Sequence, residues 1–147
     1  MADTKYGKYI LSELKDQHIP DAPWAPKPNP DFFKTGGGRV MYLDSSIIAG
    51  ASYLECVWVM PHDKPLGEGI QRHVHDYDEI LCFFGTDPAD FHNLNGEIEI
   101  YLEDERHTFT KTSVVFVPAG MKHCPMRSLW ATKPIFHFTA HAGKSYR

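Results

Sequence analysis

The 147-residue chain carries Lys+Arg 15 against Asp+Glu 19, a formal net charge of −4, with 42% hydrophobic and 23% charged residues. That length suits one domain with a core of its own, and the composition excludes wholesale disorder. No apolar run approaches the roughly 18 residues a spanning helix needs. The opening residues have no apolar signal core, and no Lys/Arg cluster marks a nucleic-acid surface, so a cytoplasmic protein that engages neither membrane nor nucleic acid is expected.

Taken in chain order, residues 1–18 mix polar and apolar side chains, and Tyr9-Ile10-Leu11 with Leu14 permits a short helix or strand. Residues 19–30 hold five prolines around Trp24, which forbids a helix and removes most ladder donors. An extended arm across the domain or a neighbouring subunit is expected there, with a loosely ordered leader as the alternative. Gly36-Gly37-Gly38 reads as a bend or loop, not a phosphate cradle, because no strand precedes it.

Beyond it strand signals dominate, at 39–43, 52–60, 80–84, 97–102, 113–117 and 134–139. Turn formers separate them: Pro65-Leu66-Gly67, Gly85-Thr86-Asp87-Pro88, Asn93-Leu94-Asn95-Gly96, Glu103-Asp104-Glu105 and Pro118-Ala119-Gly120. Short strands at turn-limited spacing indicate an all-β sandwich or closed barrel. The division expected is an N-terminal arm over 1–37 and one barrel domain over 38–147.

Cys56, Cys82 and Cys124 are odd in number and widely spaced, which fits a reduced compartment rather than a disulfide framework. Nine histidines are the unusual feature. His73 and His75 are two apart, so in an extended segment they share a face, and two imidazoles on one face can grip one ion. Chance would give about half an HxH per chain at this histidine content, so the pair alone is weak. Glu79 follows a turn-prone Asp76-Tyr77-Asp78 and opens the next strand beside the histidines. Downstream, an apolar strand ends at Pro118-Ala119-Gly120, and His123 stands where another strand would begin.

These two elements resemble the paired motifs of the cupin superfamily. The first, G-x5-H-x-H-x3,4-E-x6-G, is met by Gly67, His73, His75, Glu79 and Gly85, with five residues instead of six before the last glycine. The second, G-x5-P-x-G-x2-H-x3-N, is met by Pro118, Gly120 and His123, with Thr112 in place of its first glycine and Arg127 in place of its asparagine. The resemblance spans roughly 38–140 and implies an antiparallel jelly-roll β-barrel with one metal ion near its wider mouth. Carried over by position, His73, His75, Glu79 and His123 would be the ligands.

Three neutral imidazoles and one carboxylate leave a divalent ion with a net charge of about +1 and, if octahedral, two open positions. Fe(II) leads, with Mn(II), Ni(II), Co(II) or Zn(II) also compatible with mixed N/O ligation. The expected partner is a small chelating molecule, and the expected assembly a homodimer. An Fe(II)-type dioxygenase leads among activities. A redox-neutral isomerase, epimerase or lyase using the metal as Lewis acid is the alternative, and a non-catalytic binding or sensor protein the third reading.

Other residues have less weight. Tyr77 and His137 are candidates for proton transfer, and Arg72 for pinning a substrate carboxylate, each with a structural alternative. Asp78 could replace Glu79 as ligand but reads better as a turn residue. Cys124 and Cys82 read as packing. The 86–111 stretch contains a loop around His92 that lids the mouth or decorates the rim. His18, His62, His107 and His141 read as surface. Trp58, Met60, Leu81, Phe83, Phe116 and Met126 are expected to form an apolar pocket around the ion.

Overall fold

The computed structural model describes residues 4–15, 37–66 and 71–143. The proline-rich stretch with Trp24, together with His18, Gly36 and Gly67, lies outside the described residues. Near the start there is a single 3-10 turn, Gly7–Tyr9. Among the described residues eight strands follow: β1 Gly37–Leu43, β2 Tyr53–Val59, β3 Glu79–Gly85, β4 Asn93–Leu102, β5 Glu105–Lys111, β6 Ser113–Val117, β7 His123–Ala131 and β8 Ile135–His141. Among the described residues no helix is long and apolar enough to cross a membrane.

The strands form two antiparallel sheets, one in the order β1-β2-β8-β3-β6 and one in the order β5-β4-β7. This is the expected jelly-roll barrel. Period-two alternation directs the chain: on β3, Glu79, Leu81 and Phe83 turn inward while Ile80 and Phe84 turn out. Leu81, Phe83, Leu94, Ile98, Ile100, Val117 and Ile135 fill the space between the sheets. Each such side chain contributes about 1.5–3 kcal/mol by leaving water.

Gly37 and Gly38 are not a loop but the first residues of β1. A Cβ on Gly37 would lie 2.0 Å from the Trp58 carbonyl oxygen, and its φ is +139°, so close strand approach explains the glycine. One strand was not expected from the sequence, and another was expected only at its first residue. β5 is exposed along almost its whole length, so it has no apolar alternation to read. β7 begins at His123 as expected, but the positive-φ Cys124 at its second position and Pro125 after it obscure its period.

The free edge of β7 positions the candidate site. Antiparallel bridges join His62 to Ala131, Leu66 to Ser128 and His73 to His123. The segment leading into β3 is thereby laid along the second sheet before it enters the first, which joins the two sheets on this side.

Candidate metal centre

The peptide groups of His73 and His123 exchange two hydrogen bonds, each 3.1 Å long. Gly120 N–H donates to the His75 carbonyl at 2.9 Å, and Ala119 N–H donates to Asp78 Oδ1 at 2.9 Å. These bonds stitch the HxH segment to the Pro-x-Gly turn, so residues some fifty positions apart in sequence are held by backbone geometry. Asp78 is therefore a clamp on the turn. Gly120, at φ +82°, makes the approach in a conformation that suits glycine.

On this frame the rings of His73, His75 and His123 converge. Their nearest ligand atoms all lie within 4.8 Å of one another. Glu79, first residue of β3, brings Oε2 to 3.2 Å from His75 Nε2 and Oε1 to 3.7 Å from His123 Nε2. All four side chains are buried.

Tautomers follow from the backbone. His73 Nδ1 donates to the Gln71 carbonyl at 2.8 Å, His75 Nδ1 to the Tyr77 carbonyl at 3.0 Å, and His123 Nδ1 to the Met121 carbonyl at 3.0 Å. A carbonyl only accepts, so each Nδ1 carries a proton and each ring turns its Nε2 inward. Glu79 is ionised: burial alone pushes its carboxyl up, but the adjacent His123 and His75 rings outweigh burial and bring it down to about 2. Burial also holds His73 below its ordinary value, favouring the neutral ring.

The cluster is thus a set of buried ring nitrogens gathered around one carboxylate. His75 Nε2, His123 Nε2 and Glu79 Oε2 make no aligned hydrogen bond. Such atoms cost about 1–3 kcal/mol each unless a cation satisfies them. Neutral imidazoles with one carboxylate are a donor set that fits a divalent transition ion.

Around the cluster, Tyr77 stacks on His75 with ring centroids 4.0 Å apart, and His141 stacks on Tyr77 at 3.9 Å. Tyr53 closes the column on the far side of His141 at 4.4 Å. His141 is therefore not a surface residue. It is buried, its ring nitrogens make no hydrogen bond, and burial brings it down to about 4, so the ring is neutral. Its signal in the sequence is its phase, since on β8 it has the same parity as His137 and Thr139.

His137 is buried, stacks on Phe83 at 4.3 Å, donates from Nδ1 to the Cys82 carbonyl at 2.8 Å, and meets Thr139 Oγ1 with Nε2 at 3.3 Å. Arg72 pairs with Asp104 on the rim at 2.9 Å. Cys124 is buried and, through burial and the Glu79 charge, its thiol is pushed up to about 12.

Two expectations change. The expected apolar pocket is only half present: Leu81 and Phe83 are interior and Met126 packs on the core, but Phe116 and Met60 are exposed. Trp58 packs on Phe136, on the opposite face of β2 from the inward Tyr53. The loop around His92 leaves β3 at Gly85, the opposite end of that strand from Glu79 and about 20 Å away, so it does not lid the cluster. Arg127, where the motif has asparagine, is paired with the buried Glu99 at 2.8 Å on the second sheet. Thr112, where the motif has glycine, accepts from Gly85 N–H at 2.9 Å.

Comparison with protein-family models finds no match, and comparison with curated sequences finds none. Among solved structures, an oxalate oxidase matches with a TM-score of 0.53 at 11% identity, over 99% of this chain and 64% of that one. A deletion mutant of Bacillus subtilis oxalate decarboxylase matches with a TM-score of 0.51 at 15% identity, over 84% of this chain and 29% of that one. KdgF from Halomonas sp. matches at 0.40 and 15% identity, over 71% of this chain and 76% of that one. At such identities the likeness to the two matches above 0.5 is one of chain path, and with the two-sheet topology it shows the fold, the small double-stranded β-helix that cupins have.

Proposed function

We propose that the chain is a mononuclear metal protein acting as an enzyme on a small chelating substrate, with His73, His75, His123 and Glu79 holding one divalent transition ion. The observation that carries this reading is the backbone-enforced tautomer of all three rings beside an ionised carboxylate. Nothing in ordinary core packing calls for three inward Nε2 atoms around one carboxylate. A divalent ion bound there supplies Lewis acidity toward a chelating carbonyl, carboxylate or hydroxyl and, if it is Fe(II), redox chemistry with dioxygen. We keep the Fe(II)-type oxygenase as the leading assignment.

The chain's own residues supply the rest. Carbonyls of Gln71, Tyr77 and Met121 hold a proton at each Nδ1 and so fix where each Nε2 aims. The Tyr77 ring, flat against His75, keeps that imidazole from rotating and, with His141, presents an aromatic wall beside the cluster. Tyr77 and His137 remain the candidates for proton transfer, His137 as a neutral ring engaged at both nitrogens.

The test is anaerobic purification, metal analysis, and then exposure to air with a panel of oxalate, a β-diketone and a catechol. Stoichiometric iron with oxygen-dependent turnover supports the oxygenase. Turnover without oxygen consumption transfers the assignment to Lewis-acid chemistry, and a protein that binds no transition ion under these conditions removes the proposal. His73→Ala and His123→Ala are each expected to abolish metal retention and turnover together.

A further inference from the structure

The inner face of the five-stranded sheet changes character across its width. On β3 the inward side chains that follow Glu79 are Leu81 and Phe83, part of the apolar core. Continued onto β8, β2 and β1, the Leu81 row becomes Thr139, Glu55 and Tyr42, and the Phe83 row becomes His137, Val57 and Arg39. β8 is the middle strand of this sheet, so an inward side chain on it is covered unless the interior has a recess there. Thr139 and Val57 are only half-buried, and the Arg39 and Glu55 side chains are each 23% exposed, so solvent enters at this place. Thr139 is the diagonal neighbour of Glu79 across β8 and β3, about 7–8 Å away, so the recess adjoins the metal cluster.

The recess is furnished for hydrogen bonding. Arg39 Nη2 donates to Glu55 Oε2 at 2.9 Å, and the Tyr53 hydroxyl donates to the same oxygen at 3.0 Å. Arg39 Nε is buried and donates to nothing. Burial keeps His137 neutral and its Nδ1 donates to the Cys82 carbonyl, so its Nε2 accepts from Thr139 at 3.3 Å and leaves Thr139 Oγ1 as an acceptor. The opposite charges of Arg39 and Glu55 cancel, so the wall combines donors and acceptors without a net charge. A second carboxylate would meet Glu55, and an apolar chain would strand these groups without partners. A hydroxyl donates and accepts at once, which matches the set. We infer that this recess receives the end of the substrate remote from the ion, that this end is polyhydroxylated, and that Arg39, Glu55 and Thr139 are its specificity residues. The inference rests on the metal reading above, in which the near end of the same molecule chelates the ion.

The test is calorimetric titration of the Ni(II)-loaded full chain with gluconate and with 2-hydroxyhexanoate. The two acids share the chelating end and the chain length, and only gluconate has hydroxyls beyond it. Gluconate is expected to bind about tenfold to a hundredfold more tightly, the scale of hydrogen bonds to charged groups. Arg39→Met is expected to erase that preference and Thr139→Val to reduce it by about threefold to tenfold, with metal content and 2-hydroxyhexanoate affinity unchanged. If Arg39→Met does not fold, Thr139→Val, which has nearly the same shape as the wild type, decides. Equal affinity of the wild type for the two acids, or a preference that either folded variant keeps in full, overturns the inference while bound Ni(II) leaves the metal assignment standing. A chain that takes up no ion overturns both.

Discussion

At the scale of single residues, the centre is shaped by very local rules. Each imidazole takes its tautomer from a carbonyl two residues away, Gln71 for His73, Tyr77 for His75 and Met121 for His123. Ring orientation is therefore written into the turn each histidine sits on. Charge is not, because it comes from Glu79 alone. Glu79→Gln keeps the shape and removes the anion, and is expected to lower metal affinity by about tenfold or more, read by competition with a chelator. Unchanged affinity would make the carboxylate a spectator. His137 makes a separate prediction. Burial lowers it from an ordinary value of 6.5, so the unfolded chain takes up the proton first as pH falls. The stability it contributes is present above about pH 6.5 and is lost as pH falls below that toward its folded value. His137→Gln retains a donor and an acceptor but does not titrate. Its urea midpoint is expected to change less than wild type between about pH 7.5 and pH 5.5, and equal slopes would remove His137 from the account.

At the scale of elements, glycines separate two kinds of constraint. Gly85 ends β3 where a Cβ would sit 2.1 Å from the Asn93 carbonyl oxygen, a backbone clash. Gly120 has φ +82° but open space around its missing Cβ, so its constraint is conformational only. Gly85→Ala is expected to cost about 2–4 kcal/mol and Gly120→Ala about 1 kcal/mol in urea unfolding. The reverse order would mean that β3 and β4 yield at that point. The same physics decides what was legible beforehand. The motif glycine Gly85 and the turn residues Pro118 and Gly120 are readable because tight approaches admit few residue types. Strands β1, β2, β3, β6 and β8 are readable because β-branched, aromatic and other apolar residues are concentrated in them. β5 lies at the edge of its sheet with both faces wet, so no period betrays it. His141 is misread because nothing local marks it. Its burial comes from Tyr53 and Tyr77, which arrive from other parts of the chain. The fourfold convergence itself is legible only through the two motifs together, since the ladder that joins His73 to His123 is a long-range pairing.

At the scale of the whole molecule, the centre lies where the two sheets are tied together, so its occupancy and the fold's stability are linked. His73 and His123 pair along the free edge of β7, while Glu79 opens β3 in the other sheet. An ion held by all four side chains would therefore cross-link both sheets through buried groups. A ligand that binds only the native state stabilises it by about 2.7 kcal/mol at a free concentration of a hundred times its dissociation constant. For a chain of this length that corresponds to roughly 5–11 °C in melting temperature. Thermal unfolding followed with a chelator and then with saturating divalent ion is expected to give this rise in the wild type. His123→Ala is expected to melt at one temperature under both conditions, because the ring that spans the β7 side is gone. A wild type that binds one ion stoichiometrically yet melts identically with and without it would mean that the ion sits outside the tie between the sheets. The four side chains would then have to be reassigned to packing alone.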